Sequence, residues 1–544
     1  MRDTFELEGR IVDLFGRRIF PGRIIVEGGV ISRLEEVPVS ATQYILPGFI
    51  DSHIHIESSM LIPSEFARLA VVHGTVATVS DPHEIANVLG IEGIRFMITN
   101  GKKTPFKFFF GAPSCVPATP FESSGACLGP GEVEQLLRMP EIHYLSEMMN
   151  FPGVLGDDPV VGEKLRLART YGKPVDGHAP GLRGEEAAKY IRAGISTDHE
   201  CFGLDEAMDK AGQGMHILIR EGSAAKNFDD LIPLLNHFPD QVMFCSDDKH
   251  PNDLVEGHIN DSVKRAIRLG YDLFDVLRCC TLNPVRHYKL PVGLLRKQDP
   301  ADLIVVRDLE DFKVLATYIH GTRVAENGRT LIASVEETTP NFFEANRITP
   351  EDLAIPAEGT HIRVVEALDG QLITEMSEAE ATLKDGRAVA DPKRDLLKLV
   401  VINRYRTSPP AVGFIHRFGL KRGAIASTVA HDSHNIIAVG TNDRDLANAV
   451  NLLIENKGGV SLSAGPVNHI LPLPVAGIMS NHDGFAVASH YRSLDQQARE
   501  LGSSLQAPYM TLSFMALLVI PRLKLSDQGL FDGSTFRHTS LFIK

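Results

Sequence analysis

Two histidines separated by one residue stand at the end of an apolar run near the amino terminus. The run covers residues 46–56, with His53 and His55 close to its end. Alternate residues of a strand point to the same face, so both imidazoles can reach one divalent cation. A lone His-x-His pair also occurs at ordinary polar strand ends. The case for a metal site therefore depends on what the rest of the chain supplies.

Further metal-binding side chains stand at the ends of later apolar runs. These residues are Glu147, His178, His199, Asp247 and Asp248. Imidazole and carboxylate are common ligands of divalent transition metals. The carboxyl ends of the parallel strands of a barrel meet at one rim, where barrel active sites lie. With Asp247 as the ligand after the last run, the ordered set predicts two adjacent divalent sites bridged by Glu147, and Asp248 is the competing assignment for Asp247.

Eight short apolar runs alternate with amphipathic stretches in the middle of the chain. The runs cover residues 44–50, 75–80, 106–111, 142–147, 173–177, 194–198, 215–220 and 242–246. Strands alternating with helices indicate parallel βα units, and eight of them predict a TIM-type (β/α)8 barrel. The alternative is an open doubly wound sheet. No Gly-x-Gly-x-x-Gly motif follows the early strands, which counts against a dinucleotide-binding fold.

Short strand patterns separated by glycine and proline flank this region on both sides, over residues 10–34 and 301–325. They predict one split small β-sandwich domain, made of residues 1–45 plus 290–340, that is interrupted by a catalytic barrel at 46–289. Residues 341–544 mix strand-like runs with a helix at 443–456 and are long enough for a core of their own. We expect an additional C-terminal α+β domain there, with capping of the active site as one role open to it.

Composition limits the classes of partner. The 544 residues include 55 Lys and Arg against 69 Asp and Glu, which gives a net charge of −14. Nucleic-acid affinity depends on cationic contacts to phosphates, so nucleic acid is not the expected partner. Six cysteines form no disulfide framework, and residues 1–10 lack a secretory pattern. The apolar run at 510–520 is about half of a membrane span. We expect a soluble, cytoplasmic protein with no membrane partner.

The ordered ligand set resembles that of the amidohydrolase superfamily, a group of metal-dependent barrel hydrolases. Within it, five longer stretches resemble the adenine deaminase family. They are residues 80–88 (SDPHEIANV), 146–154 (SEMMNFPGV), 175–181 (VDGHAPG), 245–251 (CSDDKHP) and 430–435 (AHDSHN). The resemblance implies two divalent ions, manganese or iron with zinc as a further candidate. It also places Glu147 where many superfamily members use a carboxylated lysine, and it favours Asp247 over Asp248.

The reaction implied by the resemblance is the hydrolytic deamination of adenine to hypoxanthine and ammonia, as in purine salvage or adenine catabolism. Metals lower the pKa of bound water and so supply a hydroxide for attack on the ring. Asp247 would accept the hydroxide proton and pass it to the leaving amine. Glu84 and Glu200 are further acid–base candidates. The candidate purine contacts are Asp81, His83 and Glu84. Asp81 also fits an ordinary helix N-cap before Pro82.

Three polar residues far beyond the barrel, His431, Asp432 and His434, leave several interpretations open. They fit an ordinary polar loop, a lid over the barrel mouth or a site for an extra ion. For the whole protein, the alternatives are another amidohydrolase reaction, such as cyclic amide hydrolysis or deacetylation, and a non-catalytic barrel scaffold. Intact metal ligands argue against the scaffold. We expect adenine as the small-molecule partner and a homo-oligomer, a dimer or larger.

Overall fold

Eight parallel strands form the centre of the computed structural model, which describes residues 4–543. Five of them make one sheet and three make a second sheet. In chain order, barrel strands one to eight are Phe49–Ile54, Thr75–Ser80, Lys107–Ala112, Ile142–Met148, Val175–Gly177, Thr197–Asp198, His216–Arg220 and Val242–Cys245. Parallel bridges between Val175 and Ile195, and between Ile54 and Asp247, join the two sheets at both edges. The strands therefore form the (β/α)8 barrel that the sequence predicts.

The barrel strands are largely buried on both faces, because helices cover them outside and side chains fill the interior. Val76, Val79, Ile217 and Phe244, for example, are fully buried. The helices of this region are Pro63–Ala70, His83–Gly101, Pro130–Leu137, Phe151–Leu155, Pro159–Thr170, Gly184–Arg192, Leu204–Gly212, Phe228–Leu231, Pro251–Glu256, Ile259–Arg268, Leu273–Cys279 and Leu282–Tyr288. Short 3-10 turns occupy Ile56–Ser59, Val71–His73 and Ile232–Asn236.

The predicted first strand at 44–50 is wrong in its bounds, because the structure divides it at Gly48. Tyr44–Pro47 belongs to a different sheet, and the barrel strand begins at Phe49. A side chain at Gly48 would collide with Val76 of the second barrel strand, so the chain can cross between the sheets here only with glycine.

Both flanks of the barrel contribute to one eight-stranded mixed sheet. Its strands are Phe5–Asp13, Arg18–Glu27, Val30–Glu36, Tyr44–Pro47, Leu303–Val306, Val314–Ile319, Thr322–Glu326 and Arg329–Thr330. Tyr44–Pro47 pairs in parallel with the first of these and antiparallel with Leu303–Val306. Ile11, Ile24 and Leu303 are buried in a separate apolar cluster of this sheet. The chain therefore enters the barrel from this sheet and returns to the same sheet after it.

A second eight-stranded mixed sheet lies in the C-terminal part of the chain. Its strands are His361–Glu366, Glu375–Glu380, Leu397–Ile402, Ala411–His416, Ala424–Ser427, Ile436–Gly440, Gly459–Ala464 and Val467–Pro472. The predicted helix is present as Asp443–Asn456. Asn442 caps it by accepting from the backbone N–H of Asp445, and Leu446, Val450 and Leu453 are buried.

Smaller elements complete this region. Two three-stranded sheets consist of Ile355–Pro356, Leu383–Lys384 and Arg387–Ala388, and of Leu523–Ser526, Gly529–Asp532 and Arg537–His538. Further helices are Gly484–Glu500 and Pro508–Ser513, with 3-10 turns at Pro350–Leu353 and Phe514–Ala516. The apolar run at 510–520 thus begins in a short helix. Among residues 4–543, none of the helices combines the length and the apolar character that a membrane crossing requires.

The three predicted domain ranges stay predictions in their bounds. Their outermost residues, 1–3 and 544, lie outside the described residues.

All six cysteines are free thiols, in agreement with the absence of a disulfide framework.

Candidate active site

His53, His55 and Asp247 converge where the first and eighth barrel strands end. The Nε2 atoms of the two histidines lie 3.2 Å apart. Oδ1 of Asp247 is 3.4 Å from Nε2 of His53 and 3.2 Å from Nε2 of His55. All three side chains are almost completely buried. Three such atoms that face one another away from solvent can serve as ligands of a divalent cation.

Glu147 joins this group to the histidines of the fifth and sixth strands. Its Oε2 lies 2.8 Å from Nδ1 of His178 and 3.2 Å from Nε2 of His199. Its Oε1 lies 3.3 Å from Nε2 of His55. One buried carboxylate thus faces both groups of ligands. The cluster can bind a metal, because sets of three or more of these ligand atoms lie within 4.8 Å of one another.

A buried aspartate below the cluster holds the first and eighth strands together. Asp51 accepts hydrogen bonds from the backbone N–H of Ser246 over 3.0 Å and from Nε2 of His258 over 2.8 Å. It also accepts from the backbone N–H of His53 over 3.3 Å. These bonds fix the strand end that bears His53 against the strand that precedes Asp247. Such supporting contacts determine how metal ligands are oriented.

Arg220, at the end of the seventh strand, is a site residue that the sequence analysis missed. Its Nη1 donates to Oδ2 of Asp247 over 2.7 Å, and its guanidinium also pairs with Glu200. Burial would lower the pKa of this guanidinium, but the carboxylates of Glu200 and Asp247 outweigh burial and raise it. The sequence did offer one signal, since Arg220 is a cation in the last position of an apolar run. An arginine buried there must pair with carboxylates.

Glu200 and Asp248 lie at the edge of the cluster. Oε1 of Glu200 is 3.4 Å from Nε2 of His199. Oδ1 of Asp248 accepts from the hydroxyl of Ser58 over 2.5 Å. Asp247, and not Asp248, contacts both histidines of the first strand and Arg220, which is the geometry that the resemblance favours.

The predicted residues after the second strand form a second buried group. Nδ1 of His83 lies 3.0 Å from Oδ2 of Asp81, and its Nε2 lies 3.5 Å from Oδ1 of Asp432. Oδ1 of Asp81 also accepts from the backbone N–H of His83 over 3.1 Å, near the start of helix His83–Gly101. Asp81 therefore both supports the helix start and orients the imidazole.

Glu84 connects this group to the distant polar loop at 430–435. Its two carboxylate oxygens pair with Nδ1 of His431 and with Nε2 of His434. Burial would raise the pKa of Glu84, but the two histidines hold it well below its usual range. Burial likewise opposes a charge on His431, yet Glu84 and Asp248 raise the pKa of His431 to about 9. The structure thus brings all three predicted loop residues into the site.

A cavity of about 30 Å³ lies between these groups and the C-terminal region. On one side it is lined by cluster residues, among them His55, Glu147 and Asp247. The opposite side is apolar and consists of Leu372, Phe514, Leu517, Val519 and Ile520. An apolar face opposite a few convergent polar groups is typical of a small-molecule site.

Comparisons with known proteins agree with this geometry. The chain matches the model of the Amidohydrolase family over residues 44–324 and that of the Adenine deaminase C-terminal domain over residues 371–537. A protein named adenine deaminase from Sulfurovum sp. is 58% identical, with 98% of each chain covered. A protein of the same name from Salinibacter ruber is 55% identical, with 100% of each chain covered. Another, from Methanosarcina mazei, is 53% identical, with 98% of this chain and 99% of the relative covered. The resemblance in the five motifs is thereby confirmed, and the chain belongs to the adenine deaminase family of amidohydrolases.

Proposed function

We propose that this protein hydrolyses adenine to hypoxanthine and ammonia. The observation that carries the proposal is the buried set of histidines bridged by Glu147, which faces an apolar wall from the C-terminal domain. The names of its full-length relatives support the same substrate. In this reaction water adds oxygen to C6, the bond from C6 to the amine breaks, one water proton leaves with ammonia and the other goes to ring N1.

Two divalent ions, manganese or iron with zinc as a further candidate, are proposed to occupy the cluster. The residues that would hold them are His53, His55, Glu147, His178, His199 and Asp247. The fit is supported by the facing Nε2 atoms of His53 and His55, since two neutral imidazoles 3.2 Å apart form at most one hydrogen bond while a shared cation satisfies both. Ions bound there would lower the pKa of water and so supply a nucleophile near neutral pH.

Asp247 is proposed to move a proton from the attacking water to the leaving amine. Its Oδ1 faces His53 and His55, and its Oδ2 is held by Arg220. These contacts fix the carboxylate at the cavity wall. A general base must lie within hydrogen-bond reach of the proton that it takes, and this position allows it.

Proton transfer to N1 is proposed for Glu84 or Glu200, since both line the cavity. Glu200 lies on the side of His199, and Glu84 lies on the side of the polar loop. His83 and Glu84 are the proposed direct contacts to the purine. Asp81 is proposed to contribute by orienting His83, to which its carboxylate is bonded.

The loop at 430–435 is proposed as a lid that fixes Glu84. Its support is the paired contact of His431 and His434 with that carboxylate. An extra ion bound by His83, Glu84 and Asp432, whose ligand atoms lie close together, is the second interpretation. The metal content of the purified protein distinguishes the two.

We also propose the domain division predicted above, with residues 1–45 plus 290–340, 46–289 and 341–544 as the three units. The sheet shared by both flanks of the barrel supports the first unit. The separate eight-stranded sheet after residue 360 supports the third.

The test is incubation of the manganese-loaded protein with adenine, with hypoxanthine and ammonia measured together. Equal amounts of the two products are expected. Cyclic amide hydrolysis and deacetylation are the competing activities, so a hydantoin, a dihydropyrimidine and an N-acetylated sugar are assayed in parallel. Turnover of one of these with adenine unchanged would show the proposal to be wrong.

A further inference from the structure

The apolar wall over the cavity at the candidate metal cluster, called the inner cavity below, is built from two segments that are distant in sequence. One segment is residues 371–374 and the other is residues 514–524; together they are called the cover below. The backbone N–H of Thr374 donates to the carbonyl of Pro521 over 3.0 Å, and that of Arg522 donates to the carbonyl of Thr374 over 3.1 Å. The hydroxyl of Thr374 donates to the carbonyl of Leu523 over 2.8 Å. The two segments are therefore one hydrogen-bonded unit.

Lys524 strengthens this unit from below. Its Nζ donates to the carbonyl oxygen of Leu372 over 2.7 Å and to that of Phe514 over 3.0 Å. Both acceptor residues line the inner cavity. One buried amino group thus bonds to both halves of the cover and holds them together over the cavity.

A second cavity, of about 110 Å³, lies on the other side of the cover. Cys201, Phe202, Lys226 and Gln371 contribute to its lining. Phe202 is 56% exposed, which places this outer cavity next to solvent. Among the described residues, those that line both cavities are Glu200, Leu372 and Ile520. The two aliphatic side chains are thus the apolar partition between the cavities.

We propose that Leu372 and Ile520 form the gate through which the substrate reaches the metal cluster and that this pair sets the size limit for the substrate. An inner cavity of about 30 Å³ does not admit a bicyclic base unless part of its wall moves. Leu372 and Ile520 separate it from the outer cavity that leads to solvent. The inference rests on the proposed function only in naming adenine as the substrate.

The position of the gate also predicts which purines are rejected. C6 of adenine must lie at the metal cluster, so the far edge of the purine, which carries N3 and N9, points away from the metals. In the closed cavity that edge meets the apolar wall. A substituent on N9 would then collide with the gate, so we expect these two side chains to produce a preference for an unsubstituted base.

The experiment compares adenine with 9-methyladenine in Leu372→Ala, Ile520→Ala and the double variant. Each shortening joins the two cavities, so the ratio of kcat/KM for 9-methyladenine to that for adenine is expected to rise about tenfold or more, as for other apolar pocket contacts. The matched control is Ile373→Ala, since Ile373 belongs to the same segment but lines the outer cavity. Its ratio is expected to stay at the wild-type value.

Two further measurements keep the proposal testable whatever the alanine variants do. Leu372→Phe and Ile520→Phe narrow the gate, so kcat/KM for adenine is expected to fall while kcat is retained. The rate at which a chelator removes the metals is expected to rise in the alanine variants above that of Ile373→Ala, and this readout does not depend on the substrate. Should an alanine variant not fold, Leu372→Val and Ile520→Val are expected to change both readouts in the same direction.

The proposal is overturned if the folded gate variants keep both the wild-type substrate ratio and the wild-type rate of metal removal. It is also overturned if Ile373→Ala shifts them equally. Wild-type protein that leaves adenine unchanged would instead contradict the proposed function, and the chelator rates would still decide on the gate.

Discussion

Arg220 donates a hydrogen bond to Asp247 over 2.7 Å at the rim of the barrel. The other oxygen of the same carboxylate faces His53 and His55. The guanidinium and these two imidazoles therefore contact Asp247 from opposite sides. This contact fixes the group proposed to carry the proton.

Replacing Arg220 is expected to reduce both stability and turnover. In Arg220→Gln, Glu200 and Asp247 keep their buried negative charges without the guanidinium, which costs about 3 kcal/mol or more in the free energy of unfolding. Arg220→Lys restores the charge but not the planar set of N–H donors of a guanidinium, so it should recover only part of kcat. Denaturant unfolding and kcat of the metal-loaded variants are the measurements.

The matched control for Arg220 is Arg492→Gln, which breaks an exposed ion pair with Glu256. An exposed pair is worth about 1 kcal/mol or less. If the two glutamine variants unfold at the same denaturant concentration and turn over equally, the role given to Arg220 is incorrect.

His434→Asn is expected to lower kcat/KM by about 10–100-fold, the usual effect of losing a group that orients a site residue. The reason is that the carboxylate of Glu84 loses one of the two histidines that pair with it. The metal content should remain that of the wild type. His469→Asn, at an exposed position of the C-terminal sheet, is the control and should be neutral. Loss of one bound ion from His434→Asn would instead support the extra-ion interpretation of the loop.

Lys210 supports the strand ends that bear His178 and His199. Its Nζ lies 2.6 Å from Oδ2 of Asp198 and 2.6 Å from Oε1 of Glu206, and all three side chains are buried. Lys210→Met should lower the free energy of unfolding by about 3–5 kcal/mol, since two buried carboxylates lose their cation.

The control for Lys210 is Lys102→Met, which removes a more exposed partner of Glu141 and should cost about 1 kcal/mol or less. Equal denaturation midpoints for the two methionine variants would contradict the structural role of Lys210.

Lys524 should make stability depend on pH. Burial lowers the pKa of Lys524 from 10.5 to about 7. In the unfolded chain the ammonium keeps its ordinary pKa, so between these two values the unfolded state binds more protons and the free energy of unfolding rises with pH. Below about pH 7 both states are protonated, and the cost of the buried charge is present in full.

The measurement for Lys524 is the free energy of unfolding of the wild type minus that of Lys524→Met, taken from about pH 6 to about pH 10. This difference should be flat below neutral pH and rise above it by an amount on the order of a few kcal/mol. If the free energies of unfolding of the two proteins change with pH in parallel, the expected titration of Lys524 is wrong.

The sequence predicted the strands of the barrel well because each apolar run is followed by an amphipathic stretch or a turn. It was less accurate where a single glycine decides the conformation. The sixth strand, predicted at 194–198, is only Thr197–Asp198, because Gly194 has a positive φ of 103° and ends the turn after the preceding helix. Gly48 likewise divides a run that looks continuous.

The contacts that complete the site could not be predicted in the same way. The side chains of Glu84 and His431 touch although 347 residues separate them. No pattern of types or spacing specifies such a contact. Arg220 was missed because a cation at the end of a strand normally points to solvent, whereas here two buried carboxylates hold it inside. The proposed metal ligands follow a pattern that the sequence does show, since each lies in or just after a barrel strand, and their role as ligands stays a prediction.

Turnover of adenine by the manganese-loaded wild type and by Asp247→Asn is the most direct test of the central claim. The wild type should form hypoxanthine and ammonia in equal amounts. Asp247→Asn should be slower by about 10²-fold or more, because it lacks the group that transfers the proton. Absence of hypoxanthine with the wild type, or near-normal turnover by Asp247→Asn, would contradict the account.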